Sequence, residues 1–85
     1  MKILAVQSTP NPLARKVVCA EVVSAERASF RSAEDAHGHP LGQPLMAIPG
    51  VVQVMILADF VTVVRHPDAR WAEVLPAVRR VIEAV

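Results

Sequence analysis

Four side chains in this sequence are thiols or imidazoles, the types most often used as zinc ligands: Cys19, His37, His39 and His66. Thiolates and neutral imidazoles are common protein ligands of zinc and iron. His37-x-His39 puts two imidazoles in a loop with glycine and proline, and Cys19 or His66 would have to complete a site. No carboxylate or second cysteine stands at a diagnostic spacing beside them, so a small iron- or zinc-binding domain is the alternative reading and not the first one. Cys19 lies among β-prone residues and reads first as a small core hydrophobe. Glu34-Asp35 would suit general acid–base work. Ser32-Ala33-Glu34-Asp35 is also a capping box, in which the serine caps free amides and the acid reaches back. Gly38, Gly42 and Gly50 form no phosphate-binding pattern, and no serine has the glycine-flanked setting of a hydrolase nucleophile. No set of residues takes the roles of nucleophile, base and oxyanion donor, so the chain does not read as an enzyme.

Composition narrows the classes further. The 85 residues are 53% hydrophobic and 20% charged, with a net charge of +1 and one cysteine. That describes one small folded domain and not a disordered chain. One thiol cannot build a disulfide framework or supply four ligands to an iron–sulfur cluster. The small net charge argues against bulk attraction to nucleic acid or an anionic membrane. The longest apolar run, Val51 to Val64, is interrupted by Gln53, Asp59 and Thr62, and no stretch reaches the ~18 residues that span a bilayer. The amino terminus lacks the longer apolar region of a secretory signal, so a cytoplasmic location is expected.

The elements that must position these residues follow from punctuation and periodicity. Lys2 to Ser8 reads as a strand, and Thr9-Pro10-Asn11-Pro12 as a stiff connector. Leu13 to Val23 is the second strand candidate. Ser24 to Arg31 reads as a loop, with Phe30 anchored in the core. A short helical turn follows Ser32. Leu41, Leu45 and Ile48 lie on one helical face, which Gly42 and Pro44 weaken and Pro49-Gly50 ends. Val51 to Arg65 reads as a hairpin turning at Ala58-Asp59, where Asp59 is a turn residue. Its two-residue turn would oppose Leu57 to Phe60, Ile56 to Val61 and Val54 to Val63. Val52, Val54, Ile56, Val61 and Val63 then form the core face. Met55, Leu57, Phe60 and Val64 share an opposite face that is unusually apolar for a wet surface, and a homo-oligomer burying it is a third, weaker reading. Trp71, Val74, Leu75, Val78, Val81, Ile82 and Val85 form one stripe of a last helix capped by Asp68, with Pro76 expected to bend it or split off its first turn. The fold class is α+β in ββαββα order: a small, largely antiparallel four-stranded sheet with two helices on one face.

Thr9-Pro10-Asn11-Pro12, Ser32-Ala33-Glu34-Asp35-Ala36, Pro40-Leu41 with Ile48-Pro49-Gly50-Val51, Asp59-Phe60-Val61-Thr62-Val63, and Trp71 with Leu75-Pro76 occur in this order along the chain. The series resembles the N-terminal domain of the Nfu/NifU-like iron–sulfur cluster scaffold proteins, over essentially the whole length. Members of that family usually carry a second domain whose Cys-x-x-Cys pair holds the cluster across a dimer. This sequence contains no such pair, so the cluster-holding role passes to no residue here. The segment after Pro12 also departs from the family by being shorter than its asparagine-containing run, and Gly42 and Pro44 replace helix formers. The resemblance implies an accessory or protein-interaction module with no cofactor of its own, reached at most transiently by iron or a cluster through a partner. The implied partners are iron–sulfur assembly proteins or a Cys-x-x-Cys domain on another chain. Thr9, Pro10, Asn11, Pro12, Asp59 and Trp71 are the candidate partner-binding residues: a tryptophan that is partly exposed is a hot-spot type, and a proline-stiffened turn presents its groups at low entropic cost.

Overall fold

The computed structural model describes residues 1–85. Seven elements follow in chain order: β1 (Ile3–Ser8), β2 (Ala14–Cys19), β3 (Ser24–Phe30), α1 (Gly42–Met46), β4 (Val51–Ala58), β5 (Phe60–Arg65) and α2 (Trp71–Glu83). The strands form a single five-stranded sheet in the order β1-β2-β5-β4-β3, and every neighbouring pair is antiparallel. The fold is therefore α+β in βββαββα order, with one strand more than the four expected.

The added strand is β3, in the segment expected to be a loop. It pairs with β4 through Ala28 opposite Ile56, Ser29 opposite Met55 and Phe30 opposite Val54, after a register shift that follows Ser24. Ser-Ala-Glu-Arg-Ala-Ser-Phe has few β-branched or aromatic residues, so propensity and alternation do not reveal it. It is an edge strand, and only Phe30 in it is buried. Backbone pairing with β4 holds the rest. The second strand is correspondingly shorter than Leu13 to Val23: it stops at Cys19, and the chain turns through residues 20–23 into β3.

The β4–β5 hairpin has the expected register, with Leu57 opposite Phe60, Ile56 opposite Val61 and Val54 opposite Val63. Ala58 takes the left-handed conformation at the turn, φ 52°. A register shift between Val51 and Gln53 changes one expected core position. Val51 is 8% exposed and Val52 is 39% exposed, so the irregularity brings Val51 inward in place of Val52. The opposite face, with Met55, Leu57, Phe60 and Val64, is half-buried, and the Lys16 ammonium lies 4.2 Å above the Phe60 ring there.

The core lies on the face lined by Val17, Cys19, Phe30, Val54, Ile56, Val61 and Val63. Leu41, Leu45 and Ile48 close it from α1 and its flanks, as the helical spacing predicts. Val74, Val78 and Ile82 close it from α2. Gly42 is required for this packing. A Cβ there would sit 2.7 Å from Phe30 Cδ2 and closer still to Cε2, so the glycine that lowers helix propensity lets α1 approach the ring.

Two helix starts differ from expectation. Arg70 is the N-cap of α2 and makes no side-chain capping bond. Asp68, the expected cap, instead donates its backbone N–H to His66 Nδ1 at 3.1 Å, and its carboxylate points into solvent. The helix runs from Trp71 to Glu83 across Pro76 without losing its first turn. At α1 the N-cap is Leu41, with no side-chain bond of its own; His39, two residues earlier, accepts at Nδ1 from the backbone N–H groups of Leu41 (3.2 Å) and Gly42 (2.8 Å). Ser32 Oγ accepts from the Asp35 N–H at 3.1 Å, while the Asp35 carboxylate accepts from the Arg31 N–H at 3.3 Å. These contacts close a turn that does not continue into a helix.

Candidate functional site

The connector between β1 and β2 is locked by its own side chains. Thr9 Oγ1 accepts from the Asn11 N–H at 3.1 Å, and Asn11 Oδ1 accepts from the Leu13 N–H at 3.0 Å. The Ala14 N–H closes back on the Asn11 carbonyl at 3.0 Å. An asparagine that hydrogen-bonds two residues onward turns the chain, and the flanking prolines fix φ on either side. Pro10, Asn11 and Pro12 remain exposed at the tip.

Trp71, the first residue of α2, joins this turn. Its indole N–H donates to the Pro12 carbonyl at 3.2 Å across 59 residues of chain. Two guanidiniums stand at the same ring: Arg15 from β2, 5.0 Å from its centroid, and Arg65 from the end of β5, at 5.6 Å. The antiparallel pairing of β2 with β5 brings these strand ends together, and the Arg65 N–H donates to the Leu13 carbonyl at 2.8 Å. Arg65 is also fixed by its side chain: Nη1 reaches the carbonyls of His66 (3.2 Å), Pro67 (3.2 Å) and Ala69 (2.8 Å). Its buried Nε–H has no partner. The arrangement holds two guanidiniums against one aromatic ring.

Of the expected partner-binding residues, Thr9, Pro10, Asn11, Pro12 and Trp71 are therefore brought together. Asp59 is not among them. It lies at the far end of the sheet, where its carbonyl accepts from the Cys19 N–H at 2.7 Å. Arg15 and Arg65 also belong to this cluster, although no motif in the sequence marks them. Arg15 falls within the second strand candidate with no spacing signal of its own. The hairpin register did place Arg65 at a strand end, which was the one usable signal.

The metal-ligand candidates are scattered. Cys19 is 1% exposed within the core. Burial pushes its thiol above the ordinary value; the amino-terminal charge opposes this and the Asp59 carboxylate adds to it. His39 spends its Nδ1 lone pair on the N–H groups at the start of α1, and its ring packs 5.0 Å from that of Phe30. His37 is exposed in the turn before α1. His66 lines a shallow cleft of about 440 Å³ with Gly50, Asp68, Ala69 and Glu73. Nowhere do three or more histidine, cysteine, aspartate or glutamate side chains converge as a metal site. No helix is long and apolar enough to cross a membrane.

Comparison with known proteins agrees with this architecture. The crystal structure of protein SAV1430 from Staphylococcus aureus superposes with a TM-score of 0.82 at 26% identity, covering 96% of this chain and 99% of that one. The uncharacterized protein YpgR of Bacillus subtilis is 36% identical over 80 residues, 93% of this chain and 21% of that protein. NifU-like protein 4, mitochondrial, of Arabidopsis thaliana is 36% identical over 73 residues, 85% of this chain and 26% of that protein. The chain thus spans between a fifth and somewhat over a quarter of the length of these curated relatives. Residues 3–85 match the family described as "Scaffold protein Nfu/NifU N terminal". With nearly its whole length matched, this chain belongs to the Nfu/NifU scaffold N-terminal domain family.

Proposed function

We propose that this chain acts as a non-enzymatic protein-interaction module in iron–sulfur cluster assembly or transfer. The cluster itself resides on a Cys-x-x-Cys domain or on another assembly protein, and it reaches this chain only through that partner. Family membership supports the biological setting, since relatives carry names such as "NFU1 iron-sulfur cluster scaffold homolog, mitochondrial" in Drosophila ananassae. One observation carries the division of labour: the only cysteine is buried in the core with its thiol stabilised in the protonated form. A thiol must ionise and be reached by the metal to ligate a cluster, and the buried Cys19 favours neither. A cytoplasmic setting goes with this reading.

Affinity capture from the native cytoplasm at near-native abundance tests the proposal. It expects recovery of iron–sulfur assembly proteins or chains bearing Cys-x-x-Cys. Failure to recover any of them removes its functional content. Metal analysis of the untagged protein is the companion measurement: iron or zinc at one atom per chain, lost on His37→Ala or His66→Ala, would replace this reading with a metal-binding one.

A further inference from the structure

We propose that Arg15, Arg65 and Trp71 form a docking surface for an acidic segment of a partner protein. The inference deepens the interaction-module reading by naming the surface and the chemistry it selects. Neither guanidinium has a carboxylate within 4.0 Å. Both cations instead share a single indole ring, at 5.0 and 5.6 Å. Two unpaired like charges on one aromatic platform are complementary to carboxylates and to little else in a protein.

The platform is also preorganised. The indole is tied to the Pro12 carbonyl, and Arg65 is held by three loop carbonyls, all through Nη1, which leaves Nη2 without a hydrogen bond. Arg15 makes one long bond, to the Ala14 carbonyl at 3.4 Å, and can present its fork to a bidentate acceptor. Such a surface is ordered before its partner arrives, which lowers the entropic cost of docking. Tryptophan and arginine are the residue types that dominate binding energy at protein interfaces. The +1 net charge of the whole chain means that this selection is local and does not come from a general basic field.

The probe is a glutamate hexapeptide, titrated into the isotope-labelled protein. Trp71 is the only tryptophan, so its indole N–H gives one unambiguous resonance. The proposal expects a saturable shift of that resonance. Arg15→Glu weakens binding about tenfold or more, as loss of charge-assisted hydrogen bonds would. Arg80→Glu makes the same charge change on the exposed side of α2 and alters affinity by less than about twofold. Arg15→Gln, a milder change, guards against misfolding of the charge-reversed variant and weakens binding in the same direction. The absence of a saturable shift overturns the proposal. So does equal weakening by Arg80→Glu, or a stronger response to oligothymidylate or phosphatidylserine vesicles than to the peptide. Affinity capture with wild type and Arg15→Glu separates this inference from the reading it rests on. Equal recovery of iron–sulfur proteins by both removes the surface and leaves the module. No recovery by either, with the peptide still bound at Trp71, removes the module and leaves the surface.

Discussion

The two ends of the sheet are built on opposite principles. At the Cys19 end, polar groups are consumed by the backbone: the Cys19 N–H is held by the Asp59 carbonyl at 2.7 Å and the Val23 N–H by that of Ala58 at 2.6 Å. The thiol is sealed beneath. At the Trp71 end, side chains converge from β2, β5, α2 and the first turn, and their charge is left unpaired. One end has spent its chemical capacity on folding, while the other keeps it available.

The largest expected effect tests the sealed end. Ile56 is fully buried one pair from the hairpin tip, and Ile56→Ala should cost about 2–5 kcal/mol in denaturant unfolding. Trp71 emission should stay native until the chain unfolds. A shift in that emission under native conditions would show that the ends are coupled more tightly than the comparison allows.

Next is the pH dependence of the thiol. The folded pKa of Cys19 is raised, so its proton is held in the native state after the unfolded thiol has lost it. The unfolded state then binds fewer protons, and stability falls as pH rises from about 8.5 toward the folded value. The slope is at most about 1.4 kcal/mol per pH unit. Unfolding curves of wild type and Cys19→Ala should converge in slope below that window and diverge within it, with wild type losing stability faster. Parallel curves would mean that the thiol is not sealed.

At the open end, Trp71→Phe removes the bond to Pro12 and the better cation-binding ring, and should cost about 1 kcal/mol. A loss as large as that of Ile56→Ala would make Trp71 a core residue first and a surface second. The smallest change should be a gain. Ala58 holds a left-handed φ of 52°, which glycine adopts without strain. Ala58→Gly should therefore raise stability by up to about 1 kcal/mol, measured by the same unfolding assay, without moving the Trp71 resonance.

Much of this organisation was legible from residue types and spacing. The hairpin register, the burial of Leu41, Leu45 and Ile48 and the Val74, Val78 and Ile82 stripe each arise from local periodicity, whereas α1 stops at Met46, short of the expected end at Pro49-Gly50. The edge strand β3 was not legible, because its stability comes from a neighbour's backbone and not from its own side chains. Nor was the exchange of Val52 for Val51, which depends on where a register shift falls.

The candidate site divides along the same line. By itself the sequence determined that a stiff Pro-Asn-Pro turn, a helix-starting tryptophan and one core-prone cysteine exist, because these are properties of single residues and their immediate neighbours. Only the tertiary structure decided that the turn and the tryptophan meet, that Arg15 and Arg65 flank the indole, and that Asp59 stands apart at the other end. Strand order carried out that sorting: β2 and β5 are distant in sequence, and only their pairing brings two like charges to one ring with no carboxylate between them.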